Sequence, residues 1–322
     1  MIELNRIYNE DCLEGMKRVP DGSVDLVLAD PPYNIGKAKW DKIPNYIEWC
    51  GKWLIECQRV LKDNGSFYWW HIDMVQIAQL MEWIRANTEF VFNSFIVWDK
   101  GDFRALSWKN PSKDNNLRSW FNTCEYCLFY TFQDEIGLTT EMIDTNNFPT
   151  MRRYFKDLQE FIGLGLKTIR ARLGHSGADH CFYWKSSQWY MPTPKTYQQL
   201  IDVFNIDKWE GFREYESLRQ EYESLRYTHN LDTNHNNVWR SQERNNGKQH
   251  PTQKPIDLME RIVKTSSKEG GIILDPFMGS GTTAVACINT NRNFIGFELD
   301  KHYCDIANER IRKAIAEKEV GE

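Results

Sequence analysis

The segment Gly271-Ile272-Ile273-Leu274-Asp275-Pro276-Phe277-Met278-Gly279-Ser280-Gly281-Thr282-Thr283 constrains the fold more than any other part of the chain. An apolar run of strand length ends in an acid, a glycine turn follows, and Ala284-Val285-Ala286-Cys287 continues as helix-compatible sequence. The pattern is strand, loop, helix. Its glycines let the backbone approach a ligand closely, and a helix N-terminus offers free amides. It lacks the third glycine of a dinucleotide fingerprint and the lysine of a phosphate-binding loop. Asp275 would repel a pyrophosphate and attract an ammonium. A second strand, Asn293 to Phe297, ends in Glu298, and an acid there commonly binds ribose hydroxyls. The ligand so described has a ribose and a cationic amino-acid end, as S-adenosylmethionine does.

Asp30-Pro31-Pro32-Tyr33 follows another apolar run, Val24 to Ala29, that reads as a buried strand. The carboxylate therefore falls at the rim of a sheet, and two prolines hold the next residues extended. Asp30 and a nearby backbone carbonyl can accept hydrogens from an amino group, while Tyr33 can stack on a flat ring. The same residues also describe a strand that ends in a Pro-Pro turn with a surface tyrosine.

Taken together, the motifs resemble those of the amino-methyltransferases of DNA, in the group where the catalytic motif precedes the cofactor motif. Asn9-Glu10-Asp11-Cys12-Leu13 looks like that family's adenine-contacting segment, and Leu61 to Tyr68 like its strand after the catalytic helix. His250-Pro251-Thr252-Gln253-Lys254-Pro255 is similar to the motif that closes over the methionine end of the cofactor. The blocks fall in family order over residues 1–132 and 238–312. The resemblance implies a doubly wound, mostly parallel, seven-stranded α/β sheet of Rossmann-like methyltransferase type, with one antiparallel strand and a helical insert. It implies catalytic residues Asp30, Pro31, Pro32 and Tyr33. The cofactor contacts it implies are Asp11, Cys12, Asp30, Lys254, Asp275, Phe277, Gly279, Ser280, Gly281, Thr282 and Glu298. Residues 1–138 and 238–322 would form the catalytic core, and 139–237 the insert that reads the target.

The chain of 322 residues is long enough for this core plus one insert. Eight cysteines are scattered without a framework, Glu3 and Arg6 interrupt any apolar start, and no run of 18 apolar residues occurs. A cytoplasmic, nucleoid-associated protein of prokaryotic or phage type, with no membrane partner, is the expectation. Cys124 and Cys127 lie in a strand-like stretch without a second ligand pair, so no metal site is expected.

The net charge of −5 does not advertise nucleic-acid binding, but its distribution does. Residues 151–190 carry Arg152, Arg153, Lys156, Lys167, Arg170, Arg172 and Lys185 against Asp157, Glu160 and Asp179, a balance of +4. Aromatic residues interleave. Such a surface can meet phosphates and base edges, and Arg152, Arg153, Arg170 and Arg172 are the candidate DNA contacts. A solvated helical face over an aromatic core is the competing description. Met151 to Leu173 reads as helical with a break at Gly163-Leu164-Gly165. Thr168 to Gly174 and Ala178 to Trp184 loosely suggest two short helices around a glycine turn. A seven-residue repeat, Glu214 to Arg219 and Glu221 to Arg226, predicts an amphipathic helix docked on the protein, with a homodimer contact as the alternative. The polar loop Lys109 to Asn116 is a second candidate reader of DNA.

The expected reaction is methyl transfer to the exocyclic amino group of adenine in double-stranded DNA, after the base leaves the helix. A cysteine nucleophile is not needed, and no proline here precedes a cysteine. Adenine is favoured because that family's adenine enzymes usually carry Asp-Pro-Pro-Tyr. Amino methylation of cytosine, an RNA methyltransferase and a non-catalytic DNA-binding protein remain alternatives, and a cognate restriction enzyme is a further candidate partner.

Overall fold

The structure is a computed structural model that describes residues 2–36, 41–101, 122–132, 148–175, 177–186, 188–225, 236–241 and 253–321. In chain order the elements begin β1 (Arg6–Tyr8), α1 (Cys12–Met16), β2 (Val24–Ala29), α2 (Tyr46–Val60), β3 (Leu61–His71) and α3 (Met74–Asn87). They continue with β4 (Val91–Asp99), β5 (Cys124–Thr131), α4 (Pro149–Ile162), α5 (Leu166–Leu173), α6 (Pro194–Phe204) and α7 (Tyr215–Leu225). The last are β6 (Val238–Trp239), α8 (Ile256–Ser266), β7 (Ile272–Asp275), α9 (Thr282–Asn289), β8 (Asn293–Phe297) and α10 (Lys301–Gly321).

The chain divides into two compact units, Met1–Leu138 with Tyr227–Glu322, and Thr139–Arg226. The first holds one sheet in the order β1-β8-β7-β2-β3-β5-β4-β6. Strand β5 runs antiparallel to both neighbours, and every other pairing is parallel. Eight strands stand among the described residues where seven were expected. The extra one, β6, is only two residues long and is held because Val97 N–H donates to the Asn237 carbonyl at 2.7 Å and the Asn237 amide to the Phe95 carbonyl at 2.9 Å. Asn237, just before the strand, is thus tied to β4.

Strand β2 is apolar apart from Asp25, which pairs with Lys62, because helices cover both faces. Leu26 and Leu28 point into a core with Leu258 and Ile262 of α8, Ala284 of α9 and Ala307 of α10. Val27 and Ala29 point the other way, among Cys12 of α1, Trp53 and Leu54 of α2 and Ile77 of α3. Helix layers thus change sides between β7 and β2, which lie side by side with Val27 opposite Leu274. Such a switch point opens a crevice at the carboxyl ends of the strands. Asp30 and Asp275 sit at those ends.

The second unit is helical. Phe155, Leu158, Ile169, Tyr197, Leu200 and Leu218 are buried at its centre. Pro149 and Pro194 begin α4 and α6, where a missing N–H costs nothing. Gly163, at φ +68°, ends α4 in the left-handed region. The expected repeat helix is α7, docked through buried Leu218 and half-buried Tyr215 and Tyr222. The second of the two short helices around a glycine turn does not form. His180–Phe182 is one 3-10 turn, pinned because fully buried Asp179 pairs with Arg170 of α5. No described helix is long and apolar enough to cross a membrane.

Candidate active site

Immediately after β2, the Tyr33 hydroxyl donates to Asp30 Oδ1 at 2.6 Å. Lys254 Nζ donates to Asp30 Oδ2 at 2.5 Å and to the Tyr33 oxygen at 2.9 Å, and lies 3.3 Å from Glu125 Oε2. Glu125, on β5, also pairs with Lys100. The Lys254 side chain is 3% exposed. Burial disfavours its charge, yet Asp30 and Glu125 carry the ammonium above its ordinary range. Tyr33, expected as a stacking surface, is itself buried and packs on His71 with ring centroids 4.9 Å apart.

A relay of hydrogen bonds holds this turn in place. Asp73 N–H donates to His71 Nδ1 at 3.1 Å, the His71 Nε2 lies 3.1 Å from the Tyr46 oxygen, and the Tyr46 hydroxyl donates to the Pro32 carbonyl at 2.7 Å. With Nδ1 accepting and Tyr46 donating onward, the Nε2 must carry the imidazole proton. Burial pulls His71 down to about 4. The neutral ring is therefore a fixed part of the scaffold.

The glycine loop is braced in the same way. Asp275, expected to meet the cofactor, instead turns inward. Its oxygens accept from Phe277 N–H at 2.9 Å and the Thr283 hydroxyl at 2.6 Å, and burial pushes its carboxyl up to about 7. Ser280, Gly281 and Thr282, also expected at the cofactor, face α10. Arg310 donates to the Ser280 carbonyl at 2.6 Å and to the Thr282 hydroxyl at 3.1 Å. Gly281 adopts φ +83°, and a Cβ there would lie 2.8 Å from that of Ala307. Lys254 likewise lies outside the cavity lining, held by the two carboxylates.

A cavity of about 560 Å³ opens beside these elements, within the roughly 300–1,000 Å³ range of small-molecule sites. Asp30 to Tyr33 form one side, with Asp11, Cys12, Phe277, Gly279 and Glu298 around it. Glu298 holds its turn by accepting from Gly279 N–H at 2.8 Å and Asp300 N–H at 2.7 Å. Six carboxylates (Glu10, Asp11, Asp30, Asp41, Glu298 and Asp300) and no basic side chain line it among the described residues. The cavity therefore favours a cation. The sequence reading missed its aromatic wall. Trp49 and Trp53, one turn apart on α2, flank Phe277 with centroids at 5.7 and 5.3 Å. Their four-residue spacing after Asp30-Pro31-Pro32-Tyr33 was the available clue.

In the helical unit the four candidate arginines separate. Arg152 is buried, not surface-facing. It donates to the Trp184 and Ser186 carbonyls at 3.2 and 3.0 Å and stacks 5.0 Å from the Trp189 centroid. Arg170 is committed to a two-pronged pair with Asp179 at 2.9 and 2.8 Å. Arg153 is 84% exposed, and Arg172 is also exposed. Cys124 and Cys127 lie on β5, and no metal-binding cluster occurs among the described residues. His250, Pro251, Thr252 and the Lys109 to Asn116 loop lie outside those residues.

Residues 24–309 match a family model described as DNA methylase. The chain is 28% identical over 309 residues to the Type II methyltransferase M.BglII of Bacillus subtilis, covering 94% of this chain and 68% of the relative. It is 26% identical over 316 residues to the Type II methyltransferase M1.MboII of Moraxella bovis, covering 96% of each. Among solved structures, that of an M1.HpyAVI–SAM complex is similar, with a TM-score of 0.50 at 22% identity over 95% of this chain and 98% of that one. The PvuII DNA methyltransferase, described as cytosine-N4-specific, gives 0.53 at 14% over 98% and 93%. These likenesses in structure are likenesses of fold.

Proposed function

We propose that this chain, which belongs to the DNA methylase family, methylates the exocyclic amino nitrogen of adenine in double-stranded DNA. The methyl donor of this DNA methyltransferase is S-adenosylmethionine, which supplies an electrophilic methyl carbon on a sulfonium. The acidic, aromatic-walled cavity suits such a cation. In this reading Glu298 takes the ribose hydroxyls, while Trp49, Trp53 and Phe277 exclude water. The amino nitrogen of a base is a poor nucleophile because its lone pair is delocalised into the ring. Asp30 and a carbonyl of the Pro31-Pro32 turn accept its hydrogens, which localises the lone pair and aims it. The gain is orientation and electrostatic preorganisation, and no covalent enzyme intermediate is needed. The target base has to leave the duplex to reach Asp30.

The observation that carries the reading is that Asp30 and Glu298 line one cavity. The choice of adenine rests on the Asp-Pro-Pro-Tyr turn. Unmodified DNA incubated with protein and cofactor, then hydrolysed for mass spectrometry, should yield N6-methyladenine. N4-methylcytosine as the sole product would reverse the choice of base. The helical unit, with exposed Arg153 and Arg172, is proposed as the reader of the DNA site. The Type II names of the relatives suggest a modification enzyme with a cognate restriction partner.

A further inference from the structure

Both oxygens of Asp30 are engaged by the protein's own donors, Tyr33 at 2.6 Å and Lys254 at 2.5 Å. The reaction needs one of them for the target amino group. Lys254 has a second carboxylate within reach, since Glu125 Oε2 already lies 3.3 Å from its Nζ. Glu125 is 7% exposed and Lys254 is 3%, so water offers the ammonium no alternative partner. The amino nitrogen becomes positive as its bond to the methyl carbon forms. A buried ammonium left on Asp30 opposes that charge at close range.

We propose that Glu125 is a positioning residue that draws Lys254 off Asp30 when the target amino group arrives, leaving Asp30 to accept that group's hydrogen. This rests on the methyl-transfer reading above. As the new nitrogen–carbon bond forms, the carbon–sulfur bond breaks with its electron pair left on sulfur, and the amino proton passes to Asp30. Lys254 stays protonated throughout, with Glu125 as its counter-ion. Lys100, paired with Glu125 from the other side, keeps two ammonium groups against two carboxylates.

Single-turnover transfer from labelled S-adenosylmethionine to long unmethylated duplex DNA tests this. Glu125→Gln should be slower by about tenfold or more, since Lys254 is left with Asp30 as its only charged partner among the described residues. Cofactor affinity by calorimetry, and DNA affinity without cofactor, should stay within about twofold. The double variant Glu125→Gln/Lys254→Met, which removes one charge of each sign, should be at least about threefold faster than Glu125→Gln alone. Damage to the scaffold would add up instead of being relieved. A Glu125→Gln protein as fast as the wild type overturns the proposal. So does a double variant no faster than the single, or a tenfold loss of cofactor affinity. If Glu125→Gln fails to fold, Glu125→Asp, which withdraws the charge by one methylene, takes its place with the same expected order. A wild type that transfers no methyl group to any base sinks the functional reading itself.

Discussion

Two scaffold groups, His71 and Asp275, are shifted in opposite directions, and stability against pH can separate them. Burial pulls His71 from 6.5 down to about 4, so between those values the unfolded chain binds a proton that the folded chain does not. That makes stability rise with pH across the window. Burial pushes Asp275 from 3.8 up to about 7, so there the folded chain holds a proton that the unfolded chain has released. That makes stability fall with pH across nearly the same window. At about 1.4 kcal/mol per pH unit, each effect amounts to about 3 kcal/mol between pH 4 and 6.5. In the wild type they should nearly cancel. His71→Gln should lose stability by about 3 kcal/mol relative to the wild type as pH rises through the window, and Asp275→Asn should gain about as much. Urea unfolding followed by tryptophan fluorescence at pH 4.5, 5.5 and 6.5 reads all three proteins. Differences between curves matter here, because the other carboxylates contribute equally to each. Three parallel curves would refute the reasoning.

Asp30→Ala should cut single-turnover methylation by about 10²–10³ while leaving cofactor binding in place, and near-normal turnover would remove Asp30 from the mechanism. Glu298→Ala should weaken S-adenosylmethionine by about 1.5–3 kcal/mol in calorimetry, and an unchanged affinity would mean that its carboxylate serves only the Gly279 and Asp300 amides. Arg153→Ala and Arg172→Ala should each lower the salt slope of DNA binding by about one if they meet phosphates. Arg152→Ala should leave that slope alone and destabilise the helical unit by about 1–3 kcal/mol, because two partly buried carbonyls lose their donor.

Where β2, β7 and β8 end was legible in the sequence, because each is a largely apolar run that an acid closes. That placed Asp30 and Glu298 at strand ends, while the single reversed strand followed only from the resemblance in motifs. Which way a strand-end acid turns was not legible. Asp275 faces Thr283 eight positions on, and nothing in that spacing separates a loop brace from a ligand contact. Pairings across the whole chain were hidden for a different reason. Lys254 reaches Asp30 over a separation of 224 residues, which local patterns do not register. Counting charges also treats every arginine as a surface group, and so Arg152 was misplaced. A two-residue strand such as β6 is too short to show a period.

The pairing of β2 with β7 sets the order in which the protein can come into being. Leu26 meets Ile273, so this contact within the sheet joins residues 247 positions apart. At about 5–20 residues per second, the ribosome makes the second partner roughly 10–50 s after the first. During that interval β2 has no β7 beside it, although β3 can already pair on its other side. A nascent chain of this kind also has no complete cavity until Glu298 has been made. Slow, long-range closure of this type also leaves an apolar strand edge uncovered for a time, which makes the interval before β7 joins the stage most exposed to aggregation.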